Sequence, residues 1–176
     1  MTDWDAIVRE HQGLVWSTVY RLVGDDADAQ DCLQETFLEA VRVHRREPVR
    51  EWPALLRRIA TARALDRLRV RYRLRDRQAA LEDPDVLEAG VSGPQQDAEA
   101  AELAELLRRS LMRLPVRQAE AFCLCRLEGQ SYQEAADAMG VDASHVGVLL
   151  HRAGAALKKL LIAEGLETEE SSEGRP

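Results

Sequence analysis

The sequence predicts an all-α protein of two small helical domains joined by an acidic linker, and three observations lead there. Apolar residues recur at helical period through both halves of the 176-residue chain. Aromatic residues make up only 5% of it, and Val and Ile are outnumbered by Ala, Leu, Arg and Glu, which favour helices, so no segment reads as a strand. Between the halves, residues 82–105 carry eight carboxylates and no Lys or Arg, with Pro84, Gly90, Ser92, Gly93 and Pro94 clustered among them. These features divide the chain into domains at 1–78 and 98–162, a flexible linker at 79–97 and an acidic, disordered tail at 163–176.

Each element has its own signal. Ile7, Val8, Leu14, Val15, Val19 and Leu22 repeat at helical spacing from Asp5 to about Val23. Gly24-Asp25-Asp26 breaks that helix, and one of the aspartates can cap the next. A second helix, about Asp28 to Arg45, places Cys32, Leu33, Phe37, Ala40 and Val41 on one stripe, with Phe37 read as core. Pro48 ends the run, because the residue before proline is pushed out of helical geometry. A third helix, about Trp52 to Arg73, turns Leu55, Leu56, Ile59, Ala62, Leu65 and Leu68 inward.

The second half predicts helices at 98–113, 115–128, 131–138 and 143–162. Ser131-x-x-Glu134 is a capping box, in which each side chain satisfies a backbone N–H of the first turn. Ala136, Gly140 and Val146 follow at the offsets of a helix-turn-helix: a small residue where two helices touch, a glycine at the turn, and an apolar anchor on the second helix. Asp142 stands at the N-cap of that second helix, whose buried stripe reads Val146, Leu150, Ala153, Leu157 and Leu160.

Charge is distributed unevenly. The net charge is −7, yet residues 42–77 hold thirteen Arg against Glu47, Glu51, Asp66 and Asp76, a local balance of +9. Such a basic segment inside an acidic chain marks a face for a polyanion. Cys32, Cys123 and Cys125 are read as packing residues, since Cys123 and Cys125 lack a second pair for a metal. His11, His44, His145 and His151 are scattered, and no nucleophile triad, Gly-rich phosphate loop or metal spacing appears, which argues against an enzyme and implies no metal or cofactor. The N-terminus shows neither a basic flank nor an apolar run, and no stretch approaches the length of a membrane span, so the expected location is the cytoplasm.

Two separated segments, Asp28-Ala29-Gln30-Asp31-Cys32-Leu33-Gln34-Glu35-Thr36-Phe37 and the run from Leu114-Pro115-x-Arg117-Gln118 to Leu150-His151-Arg152-Ala153, together resemble the extracytoplasmic-function (ECF) class of bacterial sigma factors, in the sigma-70 family. Asp28-Ala29-Gln30-Asp31-Cys32-Leu33-Gln34-Glu35-Thr36-Phe37 resembles the pattern D-A-E-D-x-x-Q-E-T-F. Leu114-Pro115-x-Arg117-Gln118, then Leu127-Glu128-Gly129-x-Ser131-Tyr132-x-Glu134-Ala135-Ala136, then Leu150-His151-Arg152-Ala153 resemble the family's second module. With Ile59-Ala60 and Asp66-Arg67-Leu68-Arg69 between them, the likeness covers about 4–75 and 100–162.

The resemblance implies a non-enzymatic subunit that directs core RNA polymerase to promoter DNA. It implies polymerase docking by Asp28, Asp31, Gln34, Glu35 and Glu39, spaced three or four apart on one side of a helix. It implies engagement of the −10 element by Arg58, Arg63, Arg67, Arg69, Arg71 and Arg73, with Trp52 and Tyr72 as candidates for holding an extruded base. On the recognition helix, Ser144, His145, Val148, Leu149, His151 and Arg152 would face the −35 element. It also implies a regulator such as an anti-sigma factor, although no residue of the chain identifies a surface for one.

The chain departs from the pattern in several places. Gln30 replaces a Glu, Leu55 a Trp and Ala62 an Asn, with Trp52 one turn earlier than the usual Trp. Gly147, Leu149 and Gly154 stand where basic residues are usual. Two alternatives therefore stay open: a helix-turn-helix regulator independent of polymerase, and a sigma-like adaptor with weak direct DNA readout, in which a Val148-Leu149 edge binds protein.

Overall fold

The computed structural model of the chain describes residues 2–79 and 95–164. Among the described residues seven α-helices run in the order α1 Trp4–Val23, α2 Asp26–His44, α3 Trp52–Ala79, α4 Gln95–Met112, α5 Val116–Phe122, α6 Tyr132–Met139 and α7 Ala143–Ala163. A π-helical turn, Cys123–Leu127, continues α5. Among the described residues there are no strands. The third helix is six residues longer than its apolar stripe predicts, and α4 starts three residues before the expected boundary. Most of the predicted linker and nearly all of the predicted tail lie outside the described residues.

Local chemistry accounts for the helix ends. The Asp3 side chain accepts from the Ala6 N–H at 3.0 Å, and Asp25 from the Asp28 N–H at 2.9 Å. Gly24 closes α1 in the left-handed region, φ 64°, where a side chain is disfavoured. The capping box forms in full: the Glu134 N–H donates to Ser131 Oγ at 3.2 Å, and the Ser131 N–H donates to Glu134 Oε2 at 2.8 Å. Asp142 differs from expectation. It sits at the N-cap of α7 in extended geometry but makes no side-chain cap bond.

The N-terminal unit packs α1, α2 and α3 around Val15, Val19, Phe37, Leu56, Leu65 and Leu68. Helix α3 buries more than one stripe, because it lies between α1 and α2 and also under the C-terminal unit. Ala60, Thr61 and Ala64 are therefore buried, whereas Ala62, predicted to face inward, is only half-buried. In the C-terminal unit, Ala121, Leu124, Ala135, Ala136, Met139, Val146, Leu149 and Leu150 form a core of their own beneath the helix-turn-helix. The two units also pack on each other: Leu111, Leu114, Ala119, Cys123, Ala153 and Leu157 join the cluster built on α1 to α3. Cys32 and Cys123 are buried, and burial, the largest cause, pushes their thiols up to about 11 and about 12. All three cysteines are free. Among the described residues no helix is long and apolar enough to cross a membrane.

Candidate nucleic-acid interface

On α2, residues 28, 31 and 39 fall on one helical stripe; on α3, residues 63, 67 and 71 do the same. The two helices pack side by side, and the stripes meet. Arg67 Nε lies 3.0 Å from Asp28 Oδ1, and its Nη2 pairs with Asp31. Arg71 pairs with Asp28 through Nη2 and donates from Nη1 to the Val23 carbonyl at 2.8 Å. Arg63 approaches Glu39 at 3.5 Å, and Arg42 joins the same carboxylate at 3.0 Å. Burial works against the charge of Arg67, but Asp28 and Asp31 outweigh it and hold the guanidinium more firmly protonated than usual.

Three of the carboxylates expected at a docking surface, Asp28, Asp31 and Glu39, thus pair with three of the arginines expected at the −10 element, Arg63, Arg67 and Arg71. Gln34 and Glu35 face solvent beside Leu38, which is 59% exposed.

A second side of α3 lies against the C-terminal unit. The Tyr72 hydroxyl donates to Glu105 of α4 at 2.9 Å, and Arg75 pairs with the same carboxylate at 2.9 Å. Burial first, then this hydrogen bond, pushes the Tyr72 phenol up to about 12. Arg69 pairs with Asp66 at 2.9 Å. Arg58 and Arg69 act on Glu120 of α5, a carboxyl that burial raises above its usual range while Arg117, Arg58 and Arg69 oppose the rise. Arg73 is exposed.

Trp52 is not brought near Tyr72. Twenty helical residues separate them, roughly 30 Å of axis. The Trp52 ring is held by Trp4 and His44, with centroids 5.3 and 5.5 Å away, at the other end of α3. Any one base pocket contains one of these rings, never both.

Helix α7 presents Ser144, His145, Val148, His151 and Arg152 to solvent. Leu149 does not join them. It is 6% exposed and packs with Val146 and Leu150 in the helix-turn-helix core, since positions 146, 149, 150 and 153 share one face. The expected Val148-Leu149 edge is therefore Val148 alone, 45% exposed. Tyr132 of the Leu127–Ala136 motif lies across Gly147: a Cβ there would sit 3.5 Å from the Tyr132 ring.

Residues 7–74 match the family model described as sigma-70 region 2, and residues 104–157 the one described as sigma-70, region 4. The chain belongs to the sigma-70 family. It is similar to the ECF RNA polymerase sigma factor SigE of Mycolicibacterium smegmatis, 34% identical over 172 residues that cover 98% of the chain and 66% of that relative. It is also similar to the ECF RNA polymerase sigma factor SigW of Bacillus subtilis, 26% identical over 163 residues, with 88% and 87% covered. Among solved structures, CnrH in complex with the cytosolic domain of CnrY is 26% identical with a TM-score of 0.58, covering 92% of this chain and 89% of that one.

The N-terminal unit is thus the region 2 module of an ECF-type sigma factor, a transcription-initiation protein, and the C-terminal unit its region 4 module. The contacts between the modules were missed by sequence reasoning. Glu128 of the Leu127-Glu128-Gly129 motif accepts from the Thr18 hydroxyl at 2.8 Å and pairs with Arg21 at 2.9 Å. Arg108 of α4 donates from Nε to the Leu22 carbonyl at 2.6 Å. Together with Arg71 on Val23, it places two guanidinium groups at the C-terminal end of α1, where the helix dipole favours positive charge.

Proposed function

We propose that this sigma factor directs core RNA polymerase to promoter DNA as a non-enzymatic cytoplasmic subunit. In this reading residues 1–78 and 98–162 are the working domains, with 79–97 a linker and 163–176 an acidic tail. Polymerase docks on α2: Gln34, Glu35 and Leu38 offer the open surface, and Asp28, Asp31 and Glu39 hold it against α3. Arg58, Arg63, Arg67, Arg69, Arg71, Arg73 and Tyr72 serve the −10 element, with Trp52 at the far end of the same helix. Ser144, His145, Val148, His151 and Arg152 serve the −35 element, supported from beneath by Leu149.

The observation that supports this reading best is the face of α7. The capping box fixes the start of α6, and buried Val146, Leu149 and Leu150 seat α7 on it, so that three polar side chains, an arginine and one apolar residue of α7 project together. Because Arg69 and Tyr72 lie against α4 and α5, engaging the −10 element requires the C-terminal unit to move off α3. A protein regulator is the corresponding expectation, since the related CnrH is seen with the cytosolic domain of CnrY.

Reconstitution with core polymerase on a promoter library, followed by transcript mapping, tests the proposal. Specific initiation is expected, and duplex binding with no affinity for polymerase would overturn it. A second reading, an adaptor with weak direct readout, is favoured by Gly147 and Val148, which offer no hydrogen bond to a base edge. Polymerase binding without specific initiation would select it.

A further inference from the structure

A cavity of about 410 Å³ opens between the C-terminal part of α3 and the end of α4. Arg69, Arg73, Arg109 and Arg113 line it, two from each module, with Tyr72 and Met112 supplying its apolar wall. Asp76 is the one carboxylate among the lining residues, and it forms no ion pair among the described residues. Four guanidinium groups around one volume repel each other unless anions lie between them. Arg69 is paired with Asp66 at 2.9 Å and Arg113 with Glu164 at 3.7 Å, but Arg73 and Arg109 have no carboxylate partner among the described residues. Arg69 Nη2 is also buried without a hydrogen-bond acceptor.

We propose that this intermodule cavity binds a small polyphosphate anion of the nucleoside di- or triphosphate class. Planar guanidinium forks suit phosphate oxygens, and Arg73 and Arg109, with no carboxylate partner among the described residues, offer two such forks beside Arg69 and Arg113. The volume falls in the range of small-molecule sites, which run from roughly 300 to 1,000 Å³. Tyr72 and Met112 give a flat, apolar boundary for the ring of the ligand. The site exists only while the modules are packed, because Arg109 of α4 and Arg113 just after it come from the C-terminal unit. Occupancy therefore favours the packed arrangement by its own binding free energy.

The test uses the full chain without polymerase or promoter, so its failure is separate from failure of the promoter-directing role. GTP, inorganic pyrophosphate, guanosine and a single-stranded DNA oligonucleotide are titrated by calorimetry, in parallel with thermal melting. GTP binding with a raised melting midpoint is expected, with weaker binding of pyrophosphate and none of guanosine. Arg109→Gln with Arg113→Gln is expected to weaken GTP by about tenfold or more, since charged hydrogen bonds are lost. Arg109 is exposed, so the single Arg109→Gln variant serves if the double variant melts early. Arg109→Lys should recover part of the affinity, as a point charge without the fork. No GTP binding at millimolar concentration, or GTP binding unchanged in both Gln variants, overturns the proposal. So does oligonucleotide binding that depends on Arg109 while GTP does not bind, which would make the cavity part of a DNA path.

Discussion

The Thr18 hydroxyl of α1 donates to Glu128 Oε2 at 2.8 Å, joining positions 110 residues apart across the module boundary. The Glu128 side chain is 7% exposed, and its other oxygen takes Arg21. Glu128→Ala leaves a wholly buried hydroxyl without its partner and Arg21 without its charge partner. A loss of about 1–3 kcal/mol in stability is expected, read by urea unfolding. Small-angle scattering should show a larger radius of gyration, and an unchanged radius would mean that the apolar contacts alone hold the modules together.

At Gly24 the left-handed backbone and a neighbour act together. A Cβ there would lie 2.7 Å from Arg108 Cζ, inside contact distance. Gly24→Ala is expected to cost about 1–2 kcal/mol for the backbone alone, and more for displacing Arg108. In the double variant with Arg108→Ala the two losses should fall short of their sum, because the collision is gone. Additive losses in urea melts would contradict the contact.

Tyr72 supplies a pH dependence. Its folded phenol is raised to about 12, above the ordinary value of 10. The protonated form carries the bond to Glu105, so this stabilisation is complete below pH 10 and is lost as pH rises through about 12. Tyrosinate absorbance of the wild type minus Tyr72→Phe should show a transition near that upper value. A transition at 10 would remove the buried hydrogen bond.

The α2 surface separates folding from docking. Glu35→Ala touches an exposed side chain with no ion pair among the described residues, so it should leave the melting midpoint unchanged and weaken polymerase binding. Asp28→Ala strips partners from both Arg67 and Arg71 and should lower stability by about 1–3 kcal/mol. Equal effects of the two substitutions on melting would contradict this division.

On α7, Arg152→Ala should reduce the slope of log affinity against log salt on promoter duplex by about 0.9, the share of one phosphate. Leu149→Ala should instead destabilise the fold by about 2–5 kcal/mol, as a core truncation does. A melt in which Leu149→Ala is neutral would return that residue to the surface.

Much of this molecule was legible from its residues alone. A helix break at Gly24-Asp25-Asp26, a helix start at Ser131, the turn at Gly140, and the core positions Val146 and Leu150 follow from capping chemistry and a 3.6-residue repeat, both of which act within a few positions of the chain; which aspartate caps α2 was decided by the structure, as Asp25. The tertiary structure alone decided which charges meet. Net charge and helical stripes tell how many carboxylates and guanidinium groups there are, but pairing Asp28 with Arg67 and Arg71, or Glu128 with Thr18 and Arg21, depends on which helices lie side by side. Leu149 shows the same limit at one residue. Its hydrophobicity is local, but whether its face meets a core or solvent depends on where α5 and α6 pack against α7. Periodicity is carried by neighbours in sequence, and ion pairing and burial by neighbours in space.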